Sequence, residues 1–299
     1  MSEKKCCAPS CCNGDKSQTA DQNLNKSTMR DSIREVYKVV AGLKNTNNEV
    51  EQSTNSTSCC SAANDANLHS QISTRLGYSQ ADLDLVPEGA DLGVGCGNPR
   101  AIANIKEGET IVDLGSGAGL DCFLASPIVG ETGRVIGIDM TAEMISKARE
   151  NAKKHATNNS NAGGFDNVEF RLGEIENLPI ADSIVDVIIS NCVINLSPDK
   201  AQVFREAYRV LKTGGRLAIS DVVSTEQIPE KISNDPMMIA GCMGNTALVD
   251  DLKGDLEAAG FSQISIETKE ESRSFIKDWA PGTGAENYVI AATIEAKKA

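Results

Sequence analysis

The sequence predicts an α/β chain built on a doubly wound, mostly parallel sheet. Three observations carry that reading. From about residue 107 onward, short apolar runs alternate with longer segments of helical spacing, the pattern of strands joined by crossover helices. The first of those runs, "TIVDL" (110–114), opens straight into a glycine-rich turn, "GSGAG" (115–119). An acidic residue, Asp139, closes the second run at the carboxyl edge of the expected sheet.

Taken in order, residues 1–28 are polar, poor in large apolar side chains, and read as a disordered arm carrying Cys6-Cys7 and Cys11-Cys12. "MRDSIREVYKVVAGL" (29–43) sets Ile33, Val36, Tyr37, Val40 and Leu43 at helical spacing and predicts one helix. The Asn/Ser/Thr-rich stretch 44–67 has no periodicity and reads as a loop; its only chemical feature is Cys59-Cys60. Residues 1–67 therefore form a cysteine-bearing, largely disordered N-terminal arm with one helix. A sheet domain is expected over 68–223 and a closing segment over 224–299. Within the sheet domain the strand 110–114 leads to the helix "LDCFLASPIVG", then the strand "RVIGIDM" (134–140). A helix follows from Thr141 as N-cap with Glu143 in its first turn. Strands at 167–173 and 184–190 come next, then the helix "PDKAQVFREAYRVL" closed by Gly214-Gly215, then a strand at 216–223. Residues 224–247 read as irregular and hold Cys242; one helix and two strands complete the chain.

Composition narrows the function. The 299 residues are 40% hydrophobic, enough for a core, and only 4% aromatic, against a base-stacking nucleic-acid binder. A net charge of −13 would repel a phosphate backbone, so no nucleic-acid partner is expected. No run of 18 apolar residues exists and the first residues lack an apolar signal core, so neither a membrane nor secretion is expected. In a reducing cytoplasm, ten cysteines read as free thiols or ligands rather than a disulfide framework.

"DLGSGAG" has the form D-x-G-x-G-x-G at a strand's end. Its glycines allow close approach of backbone to a ligand, and the next helix offers free N–H groups. The dinucleotide fingerprint G-x-G-x-x-G is not met. The motif resembles instead the first motif of class I S-adenosylmethionine methyltransferases, a Rossmann-like fold whose last strand is antiparallel. That resemblance implies cofactor contacts from Asp113, Gly115, Ser116, Gly117 and Gly119. It also implies ribose recognition by Asp139 with Met140 beside it, adenine flanked by Glu174 and Ile175, and the methionine moiety near Asn191.

Three cysteines fall near the same edge. Cys192 follows the fourth strand, Cys242 lies after the fifth, and Cys96 sits in "LGVGCGNP" (92–99), a Gly-Cys-Gly turn ill suited to packing a core side chain. Any one of them alone would read as a buried hydrophobe, and Cys122, among Leu120, Phe123 and Leu124, does. Thiolates select soft centres. Zinc favours C-x₂-C or His-containing spacing, which is absent here, and a trivalent metalloid held by three sulfurs fits better.

The stretches "LGVGCGNPRAIANIKEGETIVDLGSGAGLDCFLAS", "NVEFRLGEIENLPIADSIVDVIISNCVINLSPDK" and "EESRSFIKDWAPG" closely resemble arsenite S-adenosylmethionine methyltransferases, and the likeness runs from about 68 to 297. It implies an enzyme that methylates trivalent arsenic for detoxification, acting as a cytoplasmic monomer on a small-molecule arsenic–thiol complex. Cys192 and Cys242 would bind arsenic, with Cys96 the redox-active thiol joining them. Cys60 or Cys59 would be the fourth family cysteine. S-adenosyl-L-methionine is the implied methyl donor, and a thiol reductant such as glutathione or thioredoxin the implied partner. The segment 224–299 would then hold an arsenic-binding region. The terminal cysteine pairs have two readings, a solvated variable tail or vicinal thiols that capture and deliver arsenic. Two other readings share some of these features: a methyltransferase for a small organic acceptor such as a quinone or sterol, and a thiol protein that sequesters heavy metals.

Overall fold

The computed structural model describes residues 16–42, 66–158 and 166–299. A long helix, α1 (Lys16–Gly42), precedes three short ones, α2 (Ala66–Arg75), α3 (Gln80–Leu85) and α4 (Arg100–Ala103). The sheet unit runs β1 (Thr110–Leu114), α5 (Leu120–Val129), β2 (Arg134–Asp139), α6 (Ala142–Asn158) and β3 (Val168–Leu172). It continues with β4 (Val185–Asn191), α7 (Lys200–Val210) and β5 (Leu211–Ser224). Two short helices, α8 (Glu230–Ser233) and α9 (Pro236–Ala240), lead to α10 (Val249–Ala259), β6 (Phe261–Lys269), α11 (Arg273–Trp279) and β7 (Val289–Lys298).

The seven strands lie in the order β3-β2-β1-β4-β5-β7-β6, and β7 runs antiparallel to both neighbours. This is the doubly wound, Rossmann-like arrangement expected from the alternation of strands and helices. β1 and β4 are central: Ile111 pairs with Val135 of β2 on one side and Val187 of β4 on the other. Both faces of these strands are covered, so they read as unbroken apolar runs rather than alternating ones. Leu114, Ile136, Ile188 and Phe204 pack on one face, and Ile111, Phe123, Val135 and Ile189 on the other. Each such buried side chain contributes about 1.5–3 kcal/mol. The chain winds from β1 through β2 to β3 in one direction and from β4 to β5 in the other. The carboxyl ends of β1 and β4 therefore part, which is where open α/β sheets form a binding crevice.

Local chemistry sets the boundaries. Asp199 caps α7 by accepting the Gln202 N–H at 3.1 Å, and Gly260, at φ +103°, ends α10 in the left-handed conformation.

Three expectations change. α1 begins at Lys16, not near 29, so part of the arm expected to be disordered is helical. Its first turns, "KSQTADQNLNKST", hold no Gly or Pro, so the backbone continues without an apolar face that periodicity could detect. Gly214-Gly215 do not close α7; Leu211 is already extended, and the glycines lie inside β5, where the register with β4 shifts. The stretch 224–247 is not wholly irregular, since it contains α8 and α9, the latter capped by Asp235 accepting from Met237 and Met238.

Candidate active site

The crevice between β1 and β4 opens into a cavity lined by residues of β1, β2, β4 and the loops after them. The glycine turn is shaped by close approaches. Gly115 has φ +68°, and a Cβ there would stand 2.4 Å from Val193. Gly119, at φ +102°, is pinned under Phe123 and Phe170; a Cβ there would stand 2.6 Å from the first. Gly117, at φ +51°, faces open space, with nothing within 4 Å of an added Cβ. Its N–H donates to Asp139 at 3.0 Å, and the Thr141 N–H donates to the other carboxylate oxygen at 2.8 Å. Burial raises the Asp139 carboxyl above the usual range, and these two N–H groups oppose the rise.

Most residues expected at the cofactor reach this cavity. Asp113, Gly115, Ser116 and Gly117 line it from the turn, and Asp139, Met140, Ile175 and Asn191 from the facing loops. Gly119 does not; it packs against aromatic rings beneath the turn. Glu174 does not line it either. Its carboxylate turns outward to α1, 3.7 Å from Arg30 and 3.4 Å from Arg34. Its near neighbour Glu176 points inward instead, 8% exposed, accepting from Ser197 Oγ at 2.7 Å and Arg30 at 3.0 Å.

The three thiols converge at one end. Cys192 and Cys242 line the cavity, and Cys96 lies just behind Cys192, buried. The sulfurs of Cys96 and Cys192 and a carboxylate oxygen of Asp221 all lie within 4.8 Å of one another. The Cys242 thiol donates to the Cys192 carbonyl at 2.8 Å. Cys192 and Cys242 both adopt left-handed backbone, at φ +59° and +62°. That conformation is rare for a side chain of this kind and concentrates at functional sites. Burial pushes the Cys96 thiol up to about 11, against a hydrogen bond with Cys192 that pulls it down. For Cys192, a hydrogen bond with Cys242 favours the thiolate, but contact with Cys96, burial and the Asp221 charge hold it well above the usual thiol range. Asp221 itself is raised to about 6 by burial, and its oxygens accept from Ile194 N–H, Asn195 Nδ2 and Val222 N–H. It thereby fixes the turn after Cys192. Cys122 stays apart in the core, donating to Asp113 at 3.3 Å. Cys59, Cys60 and the terminal pairs lie outside the described residues.

Several lining residues escaped the sequence reading. Arg30 and Tyr37 of α1 and Trp279 of α11 roof the cavity. Tyr37 donates to the Ala240 carbonyl at 3.3 Å, tying α1 to the segment that carries Cys242. Trp279 is the chain's one tryptophan and sits in "IKDWAPG", a signal that was available. Arg30 and Tyr37 carried none beyond helical spacing. Tyr78 and Asp121 were also missed: Asp121 lines the cavity, and the Tyr78 hydroxyl behind it donates to Asp121 and accepts from Asn191.

A methyltransferase domain family model matches residues 105–270. The chain is 52% identical over 240 residues to an arsenite methyltransferase of Halobacterium salinarum, covering 80% of this chain and 58% of that protein. It is 42% identical over 171 residues to an arsenite methyltransferase of Aquipseudomonas alcaligenes, covering 56% and 48%. The crystal structure of an arsenic(III) S-adenosylmethionine methyltransferase from Chlamydomonas reinhardtii matches with a TM-score of 0.58 at 28% identity, covering 78% of this chain and 73% of that one. The chain thus spans less than two thirds of either curated relative. Among the described residues, no helix is long and apolar enough to cross a membrane.

Proposed function

The chain belongs to the methyltransferase domain family, and on that premise we propose that it methylates trivalent arsenic held by Cys96, Cys192 and Cys242. The observation that carries the proposal is the convergence of Cys192 and Cys242 on the cavity that also holds the glycine turn, with Cys96 against Cys192. An organic acceptor gives no reason for thiols there.

The cavity suits S-adenosylmethionine. Gly117 leaves a bare stretch of backbone facing it. Asp139, on β2, would receive the ribose hydroxyls; Ile175 and Met140 would cover the adenine. Asn191 would stand at the methionine end. When bound, S-adenosylmethionine supplies an electrophilic methyl group on a sulfonium.

The chain's own task is to hold the acceptor. Arsenite reaches the thiols as the free acid or a small-thiol complex. Each arsenic–sulfur bond to the protein forms as a thiol proton leaves with the departing hydroxide or thiolate, as water or free thiol. The raised thiols are therefore no obstacle, since the metalloid itself drives deprotonation. Held by the sulfurs of Cys96, Cys192 and Cys242, arsenic would keep its lone pair free toward the end of the cavity where bound S-adenosylmethionine would present its methyl group. Holding both partners in line removes much of the entropic barrier, and the roof of Arg30, Tyr37 and Trp279 excludes water. The product is formally pentavalent. The upstream thiol, Cys60 or Cys59 as proposed, attacks the arsenic-bound sulfur of Cys96 and loses its proton to water; the arsenic–sulfur bond breaks with its electron pair left on arsenic, which returns to the trivalent state as the disulfide forms. A small thiol or thioredoxin then reduces that disulfide by exchange. No general base is required. Detoxification in the cytoplasm by a monomer completes the reading.

The test is substitution of the arsenic ligands. Cys192→Ser and Cys242→Ser should each abolish arsenite methylation while S-adenosylhomocysteine still binds. Wild-type turnover in either variant overturns the assignment.

A further inference from the structure

We propose that Tyr78 is a positioning residue that couples occupancy of the cofactor end of the cavity to the placement of Cys96. This rests on the arsenite reading above.

The geometry is an unbroken chain of hydrogen bonds. Asp121, in the first turn of α5 directly after the glycine turn, lines the cavity. The Tyr78 hydroxyl, on a side chain 2% exposed, donates to its two carboxylate oxygens at 2.8 and 3.0 Å. The same oxygen accepts from Asn191 Nδ2 at 3.1 Å. Asn191 then grips the Gly-Cys-Gly turn twice: Nδ2 donates to the Gly97 carbonyl at 2.7 Å, and Oδ1 accepts the Cys96 N–H at 3.0 Å.

Packing makes that grip stiff. A Cβ on Gly95, at φ +146°, would lie 2.9 Å from the Asn191 amide, and one on Gly97 would lie 2.9 Å from Ser220. The turn is wedged between Asn191 and Ser220, and the Cys96 thiol donates to the Ser220 carbonyl at 3.4 Å. A shift of the Asn191 amide therefore moves the Cys96 backbone rather than being absorbed by slack.

A plain core tyrosine could be replaced by phenylalanine at little cost. This one bridges a cavity-facing carboxylate to an amide that holds a thiol-bearing turn. A cationic group entering the cavity beside Asp121, the ammonium that S-adenosylmethionine and S-adenosylhomocysteine share, strengthens the hold of the carboxylate on its side of the chain. Tyr78 and Asn191 transmit that change to the position of Cys96 against Cys192. Cofactor and arsenic then favour each other's binding, and by linkage the factor is the same in both directions.

The experiment is calorimetric titration of sodium arsenite with and without saturating S-adenosylhomocysteine, in the full chain with thiols reduced. The wild type should bind arsenite at least about fivefold more tightly with S-adenosylhomocysteine present. Tyr78→Phe should bring that factor within about twofold of one while its thermal midpoint stays near that of the wild type. Asp121→Asn, which keeps an oxygen for the tyrosine but loses the charge, should do the same. A merely structural tyrosine would weaken both ligands and leave the factor intact. A Tyr78→Phe or Asp121→Asn chain that retains the full factor overturns the proposal, as does a wild type with no coupling. A wild type that binds S-adenosylhomocysteine but no arsenite overturns the arsenite reading itself.

Discussion

Gly115 and Gly117 stand two residues apart in one turn with the same left-handed backbone, yet their added methyl groups would meet opposite fates. At Gly117, φ is +51° and nothing lies within 4 Å of a Cβ. Gly117→Ala therefore incurs only the left-handed backbone term, about 1–2 kcal/mol. At Gly115, φ is +68° and the Cβ would stand 2.4 Å from one Val193 methyl and 2.7 Å from its Cβ. Val193 is half-buried on the turn after Cys192, packed against the core on one side, and its Cβ as well as a methyl would be met, so a change of rotamer alone gives little relief. Overpacking adds about 1–3 kcal/mol, for a total of about 2–5 kcal/mol. Scanning fluorimetry of the ligand-free chain should show Gly115→Ala melting well below Gly117→Ala. Affinity for S-adenosylhomocysteine should rank differently. The open space over Gly117 is where the ligand must lie against bare backbone, so a methyl group there should weaken binding by at least about tenfold, or about 1.4 kcal/mol. A Gly117→Ala chain that binds S-adenosylhomocysteine like the wild type would refute the placement of the cofactor on this turn. Equal melting of the two variants would refute the packing argument for Gly115.

The remaining predictions follow from the same site. Cys192→Gly should be at least as stable as Cys192→Ala, reversing the usual order by about 1 kcal/mol, because Cys192 holds a left-handed backbone at φ +59°; chemical denaturation decides it, and alanine as the more stable variant contradicts the strain. Cys122→Ala should keep arsenite methylation, since that thiol contacts Asp113 in the core, and loss of methylation with cofactor binding intact would enlarge the thiol site. Arg30→Ala leaves Glu176, 8% exposed, without its cation and should cost about 1–3 kcal/mol along with looser cofactor binding, read by melting and titration. Asp221 is raised to about 6 in the fold against roughly 4 unfolded, so between those values the folded state binds the extra proton. Its ionisation therefore disfavours the fold as pH rises, by about 3 kcal/mol fully developed above pH ~6 and absent below ~4. The stability advantage of wild type over Asp221→Asn should shrink from pH 5 to pH 7.5, and an advantage that grows would contradict the sign.

How legible this site was depended on whether its signals were local. The sheet was legible because β1, the glycine turn and Asp139 form one contiguous unit with its own chemistry. Cys96, Cys192 and Cys242 were legible as a group because each falls just beyond a strand end or in a turn unsuited to core packing. The pair Glu174 and Glu176 was not. Both follow β3 in "LGEIENLP", and only the arrival of Arg30 and Arg34 from α1 decides which carboxylate turns outward. The roof was illegible for a related reason. Nothing in the spacing of α1 says that Tyr37 will meet Ala240, about two hundred positions along the chain. Tyr78 looked like one more residue before a turn until Asp121 and Asn191 came to either side of its hydroxyl.

The proposed reaction transfers a methyl group to arsenic held on three protein thiols. The most direct test incubates the wild-type chain and Cys192→Ser with S-adenosylmethionine carrying a labelled methyl group, arsenite and excess thiol, then separates the arsenic species and counts the label in each. Label should appear in mono- or dimethylated arsenic for the wild type and not for the variant, with both chains binding S-adenosylhomocysteine. Absence of label from arsenic in the wild type, despite that binding, would contradict the proposed reaction and turn the search to an organic acceptor.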